Sequence, residues 1–175
     1  MAEMRSSLVL TLAGIFLFAN IGALEAQTKP NTKPKAKTNQ RFCFTKSEHA
    51  VEGEVRYGVR LREHSWSCDT KPYSMDTWKI WSAFDKSSKD QFVKLTEDRK
   101  KTFEREFPNN YKALISTWDG RIVLHYRYDQ LNGVMCSNLK KQLTDIQAKG
   151  WKEFQKQAKK NKPEVMMDYK VCPGR

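Results

Sequence analysis

A chain of 175 residues with 32 lysines and arginines against 20 acids, a formal charge of +12, has room for one domain and argues against a multidomain machine. A mean hydropathy of -0.75 with a single long apolar run excludes a polytopic membrane protein, and 39% hydrophobic residues exclude a wholly disordered chain. What remains is a folded basic domain, and no catalytic or ligand motif identifies its activity.

The apolar run stands at the start, where Arg5 precedes Leu8 to Ile21 and small or polar residues follow from Gly22 to Gln27. This layout predicts a secretory signal over residues 1–26, cut after Ala26. At 1.5 Å per residue the run spans about 21 Å, short of a hydrocarbon core of about 30 Å. With no cysteine at the cut, lipid attachment has no substrate. The mature chain then carries 31 bases against 18 acids and is exported, to a periplasm or to the exterior.

Residues 27–40, QTKPNTKPKAKTNQ, hold four lysines, two prolines and no large apolar side chain, so they read as a disordered basic arm. A single globular helical domain is expected over residues 41–175. All four cysteines, Cys43, Cys68, Cys136 and Cys172, fall in it, and an even count in an exported chain favours disulfides. Their spacing does not suit zinc, and no CxxCH haem site is present. Of the three possible pairings, Cys43 with Cys68 and Cys136 with Cys172 is preferred, because each closes a sequence-local unit.

Between Ser47 and Ser65 two periodicities compete. Val51, Gly53, Val55, Tyr57, Val59 and Leu61 alternate as in a half-buried strand, whereas Ala50, Glu54, Tyr57, Leu61 and His64 recur at helical steps. Ser47 as N-cap and Glu48 and Glu52 in the first turn favour the helix. A second helix is predicted from a cap at Ser74 or Asp76 through Trp78, Ile80, Trp81 and Phe84. The pattern resumes with Phe92, Leu95, Phe103 and Phe107, allows a bend at Lys86 to Lys89, and stops at Pro108-Asn109-Asn110.

Asp119-Gly120 raises the alternative of a hairpin over 113–126 and an α+β fold. The unbroken stripe of Tyr111, Leu114, Ile115, Trp118, Ile122 and Tyr126 favours a helix instead, with Gly120 costing about 1 kcal/mol. A last helix is predicted after a cap at Ser137, with Leu139, Leu143, Ile146, Trp151, Phe154 and Ala158 on one face and Lys141, Lys149, Lys152, Lys156 and Lys159 on another. The fold class is therefore mainly α, a small disulfide-stabilised helical domain.

Three histidines limit any chemistry built on an imidazole base. His125 is the best candidate, because Arg121, Tyr126, Arg127 and Tyr128 beside it offer forked donors and stacking faces to an oxyanion. A glycan-cleaving carboxylate pair would have to come from Glu48, Glu52 and Glu54, or from Glu104 and Glu106. No cofactor motif and no metal-ligand spacing occurs. The surplus charge is divided: residues 138–175 hold ten bases against four acids, and residues 41–137 are nearly balanced.

These features favour an exported, non-enzymatic binding protein whose basic ends meet an anionic partner: envelope polymer, membrane surface or nucleic acid. The residues expected to make that contact are Lys141, Lys149, Lys152, Lys156, Lys159, Arg121 and Arg127. A small secreted hydrolase of anionic substrates, with His125 as base, is the alternative. A protein partner is a third expectation, should Trp78, Trp81 and Phe84 be exposed.

Overall fold

Thr45 opens the first helix through a reciprocal cap: its hydroxyl accepts the Glu48 N–H, and the Glu48 carboxylate accepts the Thr45 N–H at 2.8 Å. The sequence had pointed to Ser47, which stands one residue inside the helix with its hydroxyl 3.0 Å from that of Thr45. A computed structural model describes residues 41–70, 72–161 and 170–173. The expected signal at 1–26, the arm at 27–40 and the segment 164–169 lie outside the described residues.

Among the described residues six helices follow in order: α1 Lys46–Asp69, α2 Thr77–Ser87, α3 Lys89–Glu106, α4 Tyr111–Arg127, α5 Gly133–Lys149 and α6 Trp151–Lys160. The mainly α fold is therefore observed, and both ambiguous segments, 51–61 and 113–126, are helical. Tertiary burial decides in favour of the 3.6-residue stripe. Trp118, Ile122 and Tyr126 are buried on α4, and Gly120 lies on its exposed side. The only pairing of extended backbone among the described residues is an isolated parallel bridge between Phe44 and Val171.

The breaks have local causes. Ser88 separates α2 from α3 within the stretch expected to bend, and Pro108 to Asn110 separates α3 from α4. The single last helix of the sequence reading is instead two. Gly150 takes φ 73° and ψ -158°, a backbone that L side chains rarely adopt, and its N–H closes α5 on the Ile146 carbonyl at 2.7 Å. The cap of α5 is Asn132, whose side chain accepts the Met135 N–H at 2.9 Å, so Ser137 and Cys136 lie inside the helix.

Helix α1 is the central element and packs against each of the other five. One apolar cluster joins Tyr57, Leu61, Trp81, Phe84, Leu143 and Phe154, with Phe92 and Trp151 against its edge. Gly58 lies under this edge, where a Cβ would stand in ordinary van der Waals contact with the Phe92 ring at 3.4 Å. The second cluster gathers Phe44, Phe103 and Trp118. Trp81 and Phe84 are thus core residues and Trp78 is half-buried against the same cluster, so the exposed aromatic patch that a protein-partner reading required is absent from these three.

Charges are buried too. Glu52 accepts the Arg56 Nε–H at 2.8 Å and the Arg99 Nε–H at 2.6 Å, and Arg99 continues to Asp119 at 2.7 Å. The guanidinium groups of Arg56 and Arg99 also lie over the rings of Trp118 and Phe103, at 5.4 and 5.2 Å.

The disulfides join Cys43 to Cys172 and Cys68 to Cys136. This overturns the sequence-local pairing. The actual pairs are nested, with separations of 129 and 68 residues, because the segments that flank the helices meet at the Phe44–Val171 bridge while α1 and α5 lie side by side. Cys136–Cys172 therefore does not pin the tail along the last helix. Two disulfides indicate an oxidising, non-cytoplasmic environment. Among the described residues, no helix is long and apolar enough to cross a membrane.

Candidate functional site

The face of α6 is set by its sequence register. Phe154, Gln157 and Ala158, at steps of three and four, turn into the core, and Tyr57 fixes Gln157 by donating its hydroxyl at 3.0 Å. Lys152, Lys156, Lys159 and Lys160 fall on the other side at steps of four, seven and eight, and all are exposed. Together with Gln155 they line a shallow depression of about 520 Å³. One of these lysines is paired: the Lys156 ammonium lies 3.5 Å from the Glu153 carboxylate.

Lys160 belongs to this group although the sequence reading omitted it; its position one residue beyond Lys159 was the available signal. The other expected contacts do not join the group. Lys141 and Lys149 are exposed on α5, and Lys149 pairs with Asp145 at 3.0 Å. Arg121 and Arg127 are on α4, which packs on α1 and α3 rather than beside α6, and Arg127 donates to Glu63 at 3.0 Å. The expected set is thus one cluster on α6 and scattered cations elsewhere.

Trp151 and Phe154 are the aromatics of this helix that a membrane-surface contact would use. Phe154 is instead fully buried, and Trp151 packs edge-on against Phe92 at 4.9 Å. The outward surface of α6 therefore offers charge without an aromatic wedge.

His125 is exposed on α4 with its ring against Tyr126 at 4.9 Å, and no described carboxylate hydrogen-bonds to it. The imidazole that does meet a carboxylate is His64 of α1, whose Nε2 lies 2.9 Å from Asp129 Oδ2. Burial pushes the His64 pKa down, and the Asp129 hydrogen bond opposes that shift. Sequence reading missed the pair because its members are 65 residues apart. Among the described residues that line the cavity beside His64 there is no serine or threonine, and the one cysteine, Cys68, is disulfide-bonded.

The carboxylates suggested for glycan cleavage have structural partners. Glu52 holds Arg56 and Arg99, Glu54 accepts from Gln155 at 3.1 Å, and Glu104 pairs with Lys100 at 3.5 Å. Glu106, fully buried, accepts the Phe42 N–H at 2.8 Å and the Arg105 guanidinium. Burial pushes Glu48 up, but Arg105 and the Thr45 N–H outweigh it and hold the carboxyl at about 2. Each of these carboxylates is thus engaged by a partner within the fold. Among the described residues, no group of three or more histidines, cysteines and acids is placed to hold a metal.

The fold defines a disulfide-bonded, mainly α domain with six helices among the described residues. Comparison with protein-family models, with curated proteins and with solved structures finds no significant match.

Proposed function

We propose that the protein is an exported, non-enzymatic binding protein that docks a polyanion on the lysine face of α6. The observation that carries this reading is the convergence of Lys152, Lys156, Lys159 and Lys160 on one depression of a helix whose apolar side is already buried. The predicted N-terminal signal and the two disulfides support export. Lysine suits a charge-dense polymer better than one defined ligand, because an ammonium attracts without the planar fork that fixes orientation. The buried aromatics favour a contact held by charge alone over insertion into a bilayer.

Heparin serves as the test polymer. Fluorescence anisotropy across a salt series should show affinity falling steeply as salt rises, the signature of counterion release. Replacing Lys152, Lys156, Lys159 and Lys160 together by Gln should abolish most of that dependence, whereas replacing the four arm lysines should leave more of it. Equal retention of heparin by the α6 variant and the parent would eliminate the assignment.

A further inference from the structure

Arg60 stands apart among the arginines of α1. Arg56 bonds to Glu52 and Arg62 to Glu63 at 2.7 Å, but Arg60, half-buried, forms no ion pair among the described residues. A cation partly withdrawn from water usually finds a carboxylate, so a lone one at a cavity wall is a candidate receptor. Arg60 lines a cavity of about 170 Å³ between α1 and α5. Its polar wall is completed by His64, one turn along α1, and by Asn138 and Gln142, one turn apart on α5. Cys68, Leu131 and Leu139 supply an apolar wall.

From this juxtaposition we infer that the cavity is a binding site for a small organic carboxylate, its anionic end on Arg60 and the α5 amides and its short hydrocarbon part against the apolar wall. A guanidinium fork matches a carboxylate in two parallel hydrogen bonds, and side-chain amide N–H groups donate further bonds without adding a charge. Asp129, the nearest acid to His64, does not line the cavity and is occupied by the imidazole. Size restricts the ligand: a cavity of about 150 Å³ accommodates a benzene-sized molecule, so about six non-hydrogen atoms fit here. The site is independent of the α6 lysine face, sharing none of its residues.

The test titrates the ¹⁵N-labelled, fully oxidised chain at neutral pH with butanoate, with butyramide as the uncharged counterpart and inorganic phosphate as the bare oxyanion. Butanoate should give saturable shifts at the Asn138 and Gln142 side-chain amides and the Arg60 Nε–H. Butyramide should bind about tenfold to a hundredfold more weakly, the range expected for losing a charge-assisted hydrogen bond. Arg60→Gln should weaken butanoate by a similar factor while leaving the amide spectrum dispersed. Should that variant not fold, Gln142→Leu, which changes a half-buried side chain, is expected to weaken butanoate several-fold. Three results would overturn the inference: no localised shifts with butanoate, equal binding of butyramide, or phosphate bound at this cavity more tightly than butanoate.

Discussion

Glu52 holds two guanidinium groups on one carboxylate in a site where its side chain is 1% exposed. Removing three charges from water is costly, and it is repaid only while every partner is in place. The expected consequence is asymmetric. Glu52→Gln leaves Arg56 and Arg99 buried without that carboxylate and should destabilise the domain by about 3 kcal/mol in urea unfolding. Replacing Glu52, Arg56 and Arg99 together by leucine and methionine of similar bulk should cost much less, since the apolar set has no charge to desolvate. A triple variant as unstable as Glu52→Gln would show that the ions contribute more than their mutual pairing. Little of this was legible beforehand. Glu52 and Arg56 are i and i+4, which one helix face would reveal, but the sequence reading took Glu52 only as a first-turn acid that favours the helix. Arg99 comes from 47 residues away, and no local pattern announces such a partner. For the same reason His64 escaped notice as a partner of Asp129, while the exposed His125, rich in interesting sequence neighbours, did not.

Whole elements were more legible than their ends. The helical stripe of Tyr111 to Tyr126 prevailed over Asp119-Gly120 because Trp118, Ile122 and Tyr126 enter the core at four-residue steps along one unbroken helix face. Caps were misread at Thr45 and Asn132, where several polar residues in succession are chemically eligible and only the hydrogen bonds discriminate. The break at Gly150 was missed because the apolar stripe continues across it from Ile146 to Phe154. Two glycines now separate by role. At Gly120, in mid-helix with open space where a Cβ would stand, alanine should stabilise the domain by about 0.5 to 1 kcal/mol. At Gly150 the space is equally open, yet φ 73° imposes strain on any L residue, and alanine should destabilise by about 1 kcal/mol. Thermal melts of the two variants should therefore shift in opposite directions. A stabilising Gly150→Ala would mean that α5 and α6 run on as one helix, and would remove the register that gathers the four lysines.

At the scale of the molecule, the nested disulfides constrain the unfolded chain more than the sequence-local pairing would have done. In the chain-entropy model the inner loop of 68 residues corresponds to about 4 kcal/mol, and the outer bridge, which then closes the remaining 129 − 68 = 61 residues, to about 4 kcal/mol more, against roughly 3 to 4 kcal/mol each for the shorter loops. Spacing alone could not reveal this, because proximity in space here is created by the packing of α5 on α1 and by the return of the C-terminal segment to Phe44. The Cys172 N–H donates to the Phe44 carbonyl at 2.7 Å, and the Phe44 N–H to the Lys170 carbonyl at 2.9 Å. The two bonds differ in access. Cys68 and Cys136 are both fully buried in the main core, whereas Cys172 is partly open to solvent. Thiolate attack needs an approach to sulfur, so a mild reductant without denaturant should open Cys43–Cys172 first. Alkylation followed by peptide mass mapping should find label on Cys43 and Cys172 while Cys68 and Cys136 remain joined. The far-UV circular dichroism at that stage should be little changed, because all six helices lie between the freed cysteines and α1 stays bonded to α5. Full reduction should then require unfolding of the Tyr57–Phe154 core. Early labelling of Cys68 or Cys136 would instead show that the core around α5 opens before the chain ends part.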